Sequence, residues 1–274
     1  HIGHDAGAGV PVLIEALKDP DKRVHRAAIA SLGHIGLPAV PALMEILQTD
    51  DDDHRERAAA VLSHIGQEAR EAVPGLIKAL DDPDEELRAN AATALGEIGA
   101  AAKDAVPIIT KMLEDPNPEI RAHAAAAIGR ISPENGGAVA TALLTALQDK
   151  DKHVRRAAAT ALGNIGDAGQ WAIPSLIKAL SDHDVDIHAA DALAKIGEPA
   201  VPALIETMTD EHGRFWAAII FSEMGPSAKS AVPALVDALK KEQNEDIRRH
   251  ILMALASIGA DAKTAAPIDR KSVV

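Results

Sequence analysis

The feature that most constrains this chain is a unit of about thirty residues that recurs along its length. Residues 72–99, AVPGLIKALDDPDEELRANAATALGEIG, show the unit whole. Pro74 suits the first turn of a helix, where its missing N–H has no partner to lose. Leu76, Ile77 and Leu80 continue from it as one apolar stripe at helical spacing. Asp82-Pro83-Asp84 breaks that helix, and the Asp84 carboxylate is placed to cap the next one. Leu87, Ala91, Leu95 and Ile98 make a second stripe, which Gly99 ends as the left-handed residue.

The same opening falls at Pro11, Pro41, Pro74, Pro107, Thr141, Pro174, Pro202, Pro233 and Pro267, with separations of 30, 33, 33, 34, 33, 28, 31 and 34 residues. A period in this range signals stacked helical repeats. Eight openings lead into a complete helix pair and the ninth is cut off. Aligned on that frame, Asp21, Asp51, Asp84, Asn117, Asp151, Asp184, Asp210 and Asn244 are the expected N-caps of the second helices. Four residues later stand His25, Arg55, Arg88, Arg121, Arg155, His188, Arg214 and Arg248. Their expected acceptors are acids of the turns: Asp19, Asp82, Asp115, Asp149 and Asp182. A third column is small throughout: Gly33, Ser63, Gly96, Gly129, Gly163, Ala194, Ser222 and Ala256. Glycine inside a helix costs about 1 kcal/mol against alanine, so its recurrence predicts a neighbouring helix too close for a side chain.

These columns resemble HEAT repeats, in particular the short HEAT-like units of phycobilin lyases. The resemblance rests on the Val73-Pro74 and Val106-Pro107 openings, the Asp-Pro-Asp turns and endings such as Leu162-Gly163-Asn164-Ile165-Gly166, and it runs from Ile2 to about Pro267. It implies an all-α fold, a right-handed α-solenoid of about eight helix pairs whose second helices line the concave surface. The repeat serves scaffolds, carriers and a few enzymes, so function has to be read from particular residues.

Both ends depart from the frame. His1-Ile2-Gly3 matches His34-Ile35-Gly36 and His64-Ile65-Gly66, as though the chain starts in the last turn of a preceding helix. Asp269-Arg270-Lys271-Ser272-Val273-Val274 abandons the repeat, and GATCGGAAGAGCGTCGTG, a common short-read sequencing adapter, translates to those residues in one frame. The expectation is one solenoid over 1–268, a fragment of a longer protein, with a foreign tail at 269–274. Two junctions also deviate: Ile131 to Gly137 lacks the Ile-Gly ending, and the unit from Pro174 has a shortened second helix, followed by a trimmed turn at Met208 to Gly213.

The four aromatic residues (Trp171, Phe215, Trp216 and Phe221) are few for 274 residues, which suits close-packed helices of Ala, Leu, Ile and Val. Zero cysteines remove disulfides, thiolate metal sites and cysteine nucleophiles, and are compatible with a reducing, cytoplasmic compartment. No run reaches the apolar length of a membrane span. A net charge of −13 argues against a nucleic-acid backbone as partner. No Gly-x-Ser-x-Gly elbow and no phosphate-cradling glycine loop occurs. The Asp50-Asp51-Asp52-Asp53 run and the Asp182, Asp184, Asp186 series lack the glycine and distal glutamate of a helix-loop-helix calcium site, and capping accounts for Asp51, Asp182 and Asp184. His1, His34 and His64 share a column, but packed helices lie about 8–10 Å apart, too far for a shared ion without both rings leaning together. No metal or cofactor is expected.

Function is then expected to be recognition of a protein or peptide on the concave surface, through Trp216, Phe215, Glu223, His34, His64, Arg57, Glu97, His123, Arg130 and Lys195. Three of the four rings fall within seven residues of one second helix. Phe221 takes a core column. Phe215 and Trp216 stand where other units carry Arg26, Glu56, Arg57, Asn90 or His123. Either they fill space left by the shortened unit before them, or they anchor a partner, as exposed tryptophan does at interaction hot spots. Trp171 precedes a helix opening and reads as a hydrophobic staple. The alternative function is a chromophore lyase like those whose repeats the sequence resembles.

Overall fold

The computed structural model describes residues 6–131 and 138–259. The ninth opening, His1, the tail at 269–274 and most of the Ile131–Gly137 junction lie outside them. Among the described residues every regular element is helical. Contacts divide the chain into two units, His1–Ala161 and Leu162–Val274.

In the first unit, α1 (Val10–Ala16), α3 (Val40–Ile46), α5 (Val73–Ala79), α7 (Val106–Met112) and α9 (Ala138–Ala146) are the short first helices. They alternate with the longer second helices α2 (Lys22–Ile35), α4 (Asp52–Ile65), α6 (Glu85–Ile98), α8 (Pro118–Ile131) and α10 (Lys152–Asn164), the last of which carries the boundary. The second unit continues with α11 (Ile173–Ala179), α12 (Asp186–Ile196), α13 (Val201–Thr207), α14 (Glu211–Met224), α15 (Val232–Lys241) and α16 (Glu245–Ile258). Each helix is too short to be stable alone, so its stability comes from burying a stripe against its neighbours.

Within each unit, consecutive second helices lie against one another, whereas consecutive first helices meet much less. The small column is the cause. A Cβ on Gly129 would sit 2.5 Å from Ala161 Cα, and one on Gly96 would sit 3.0 Å from Ala127 Cα. In the second unit a Cβ on Gly163 would sit 2.6 Å from Ala192 Cα. The second-helix layer is therefore the tighter one and forms the inner side of each unit.

Asp21, Asp51, Asp84, Asn117, Asp151, Asp210 and Asn244 cap their helices as expected, each carboxylate or amide oxygen accepting a first-turn N–H. Asp184 does not. Val185 N–H and Asp186 N–H both bond the Asp182 carbonyl, so the chain makes one more turn and α12 begins only at Asp186, with no side-chain cap. The closing glycines also differ from expectation. Gly99 has φ 73° and ψ −140°, outside the left-handed helical well and in a region open essentially only to glycine. That turn leads into a segment the sequence pattern did not reveal, a 3-10 helix such as Gly99–Ala105 that carries the chain to the next first helix.

The cation column bridges repeats. Arg121 donates from Nε and Nη2 to the two carboxylate oxygens of Asp149, each at 2.8 Å, and from Nη1 to the Asp115 and Pro116 carbonyls of its own turn. Arg55 reaches Asp82 and Arg88 reaches Asp115 in the same way, one repeat ahead. In the unit after the trimmed turn a glutamate holds the acid position, two residues before the Asn244 cap, and Arg214 finds Glu242 at 2.6 Å. His25 instead stays within its own turn, with Nδ1 at 3.2 Å from the Asp19 carbonyl.

Candidate functional site

All ten residues singled out from the sequence lie on second helices, the inner layer of their units. Several of the charged ones are engaged there. Arg57 on α4 pairs with Asp53 and donates to the Leu17 carbonyl of an earlier first helix, so it ties repeats together. Glu97 on α6 pairs with Arg130 on α8. Lys195 on α12 pairs with Asp191 at 2.8 Å. His34 and His64 are exposed, each with Nδ1 on the carbonyl four residues back, Ala30 and Ala60 respectively.

In the second unit, Phe215 and Trp216 on α14 are half-buried and meet edge to face with centroids 5.4 Å apart. Phe215 also meets the His250 ring of α16 edge to face, at 5.3 Å. A Cβ on Gly213 would lie 1.8 Å from the Thr207 carbonyl oxygen, so glycine lets the trimmed turn close onto α14. Phe221 is fully buried, as its column requires. On the two neighbouring second helices, Ile187 of α12 is 70% exposed, and Met253 of α16 is 51% exposed in the column of Ile219. Glu223, further along α14, has its carboxyl held above its ordinary pKa by partial desolvation against the helix layer and then by the charge of Asp191. Trp171 lies half-buried on the 3-10 segment Gly166–Ala172.

In the first unit, His123 on α8 sits between two clefts. One, of about 530 Å³ and largely apolar, runs between α8 and α10 and is lined by Pro118, Glu119, Ala122, His123, Ala126, Asp151 and His153. The other, of about 300 Å³, lies between α6 and α8 and includes Glu85, Glu86, Asn90, Glu119 and His123. His123 Nδ1 lies 2.9 Å from Thr93 Oγ1, and that hydroxyl donates its one proton to the Ala89 carbonyl. The ring nitrogen therefore donates to Thr93, which leaves Nε2 the bare acceptor. Burial holds the imidazole below its ordinary pKa against the opposing pull of Glu119, so the ring is neutral at pH 7. His123 was legible as a candidate, but not the clefts, because they depend on alanine at positions 122 and 126 opposite the first turn of α10.

Among the described residues no group of three or more His, Asp or Glu side chains is arranged to hold a metal ion. No single helix among them is long and apolar enough to cross a membrane.

The HEAT-repeat family profile matches residues 2–63, 73–145, 110–184 and 140–221. The chain belongs to the HEAT-repeat family. A profile for the PBS lyase HEAT-like repeat matches residues 55–82 as well. No curated protein sequence matches. Among solved structures, one engineered protein is similar at 26% identity and a TM-score of 0.55, over 92% of this chain and 78% of its own. A second engineered protein matches at 26% identity and a TM-score of 0.51, over 68% of this chain and 96% of its own. The karyopherin Kap121p, solved bound to the extreme C-terminus of the protein phosphatase Cdc14p, shares the fold at 15% identity and a TM-score of 0.63, over 95% of this HEAT-repeat chain and 37% of its own. The fold is thus an all-α solenoid of the kind that serves as a scaffold.

Proposed function

We propose that this HEAT-repeat chain is a non-catalytic scaffold that holds a protein or peptide on its second-helix layer, anchored in the second unit at Phe215 and Trp216. The observation that carries the reading is the aromatic pair itself. It stands in columns other repeats fill with charged, polar or small residues, it is only half-buried, and the neighbouring helices carry exposed Ile187 and Met253. Large rings held by their neighbours with one face open supply contact area at small entropic cost, which is the make-up of an interaction hot spot. The neighbour seen with a bound phosphatase C-terminus has the same fold, which makes a peptide partner a reasonable first target.

Selection of a displayed peptide library on the immobilised chain tests this. Selected peptides should lose about 30-fold or more in affinity for Trp216→Ala, the 2 kcal/mol scale of a hot spot, while the variant keeps its helical spectrum. Peptides that bind wild type and Trp216→Ala alike would overturn the anchor. The lyase alternative draws support from the match at 55–82. It predicts a bilin absorbance change on mixing with chromophore and acceptor protein.

A further inference from the structure

The first unit carries a second recognition surface of different chemistry. Its second helices begin with carboxylates, Glu85 and Glu86 on α6 and Glu119 on α8, and these line the two clefts that flank His123. The cations of the same helices are engaged elsewhere: Arg88 and Arg121 point into the turns, toward Asp115 and Asp149, and Arg130 in the last turn of α8 pairs with Glu97. Charge along the clefts is therefore not balanced from within α6 and α8. The wider cleft has a floor of Pro118, Ala122 and Ala126, room for an aliphatic stem, and His123 Nε2 is an acceptor on the wall shared with the narrower one. An aliphatic stem ending in a donor-only cation is what such a slot complements.

We propose that the paired clefts on either side of His123 bind two basic side chains of an extended partner segment, one lysine or arginine in each. The spacing follows from geometry. The clefts lie on opposite flanks of one helix in a layer with about 8–10 Å between axes. Basic residues two apart on an extended strand are about 7 Å apart on one face, and long side chains close the difference. Glu119 borders both clefts and is the residue that both cations share.

The probes are three short peptides, acetyl-GSKGKSG-amide, its single-lysine form acetyl-GSKGSSG-amide and acetyl-GSEGESG-amide, titrated at pH 7.5 and followed through the imidazole nitrogens of His123 by NMR. The two-lysine peptide should move the Nε2 resonance of His123 upfield and bind about fivefold more tightly than the single-lysine form, the scale of one exposed ion pair. The acidic peptide should do neither. Glu119→Gln should weaken the two-lysine peptide about fivefold or more, while Glu45→Gln, on the first-helix layer of the same unit, changes it less than about twofold. Trp216→Ala should leave this binding unchanged, so the anchor proposed in the second unit and these clefts stand or fall separately. Equal losses for Glu45→Gln and Glu119→Gln, equal binding of one and two lysines, or a His123 resonance that stays still would each overturn the proposal.

Discussion

Replacing Arg121 by alanine should destabilise the chain far more than removing an ordinary surface cation. The Arg121 side chain is 7% exposed and that of Asp149 is 15% exposed, and the two make a bidentate pair across repeats. Arg121 also satisfies two carbonyls in its own turn, so truncation orphans a carboxylate and removes donors from a turn at once. Exposed pairs are worth about 0–1 kcal/mol, whereas breaking a buried one costs about 3–5 kcal/mol because the remaining charge is uncompensated. Asp149 keeps one N–H donor, from Asp151 at 2.8 Å, and water can reach it once the guanidinium is gone. The expected loss is therefore at the lower end, about 3 kcal/mol. Arg88 likewise donates to two carbonyls of its own turn, Asp82 and Pro83, but meets Asp115 through a single 3.4 Å contact, so Arg88→Ala should cost less, about 1–2 kcal/mol. Urea unfolding followed by circular dichroism reads both, and a double-mutant cycle of Arg121→Ala with Asp149→Asn isolates the pair. A loss below about 1 kcal/mol for Arg121→Ala, or one no larger than for Arg88→Ala, would refute the reasoning. The pair also sets an acid limit. Arg121, the Asp151 N–H and the charge of Lys150 hold Asp149 below its ordinary pKa against desolvation. Its contribution is thus present above the unfolded-state value near 3.8 and is lost as pH falls through the lower folded-state value.

Two further outcomes follow from the core. His54 is 5% exposed, its Nε2 has no hydrogen-bond partner, and its column holds Leu87, Ile120, Val154 and Ile247, so His54→Leu should raise stability by about 1–3 kcal/mol in the same urea assay. Burial and nearby Lys18 hold the folded-state pKa of His54 below its ordinary 6.5, so wild type should lose stability as pH drops through 6.5 toward that lower value, and His54→Leu should flatten the slope. Gly129→Ala should destabilise by more than about 1 kcal/mol although alanine is the better helix former. Gly75→Ala on α5, where the nearest atom lies 3.4 Å from the added Cβ, should be neutral or stabilising; the reverse ranking would mean that the small column does not set helix spacing.

The fold was legible because each expectation used a local rule that tertiary packing reinforced. Asp84 caps α6 and Gly129 admits Ala161 for reasons visible in a single repeat. The failures have equally local causes. Asp184 sits in a capping column, yet two backbone hydrogen bonds to the Asp182 carbonyl delay the helix past it. Glu242 was missed because the acceptor column was read as aspartate, although it stands two residues before the Asn244 cap as the aspartates stand before theirs. Of the candidate site, the layer was predictable from periodicity, but side-chain direction was not. Arg57 looks like a groove cation in the alignment and instead spans to Leu17, forty residues earlier. The His123 clefts depend on absent side chain at Ala122 and Ala126, and an absence in one column carries no signal until the facing helix is in place.

The bridging arginines bear on how such a protein can change in length. From α4 to α8 of the first unit, each repeat offers a guanidinium to the acid of the repeat that follows, so the chemistry of those junctions is nearly the same. Recombination that adds or removes a whole repeat therefore rejoins a donor to an acceptor and strands neither. A shorter deletion would misalign them, whereas Glu242, bonded to Arg214 from the same place two residues before its cap, shows that the acceptor itself can be longer by one methylene. The ladder works as a punctuation mark for gene rearrangement: it tolerates edits at the scale of the sentence and resists them inside it.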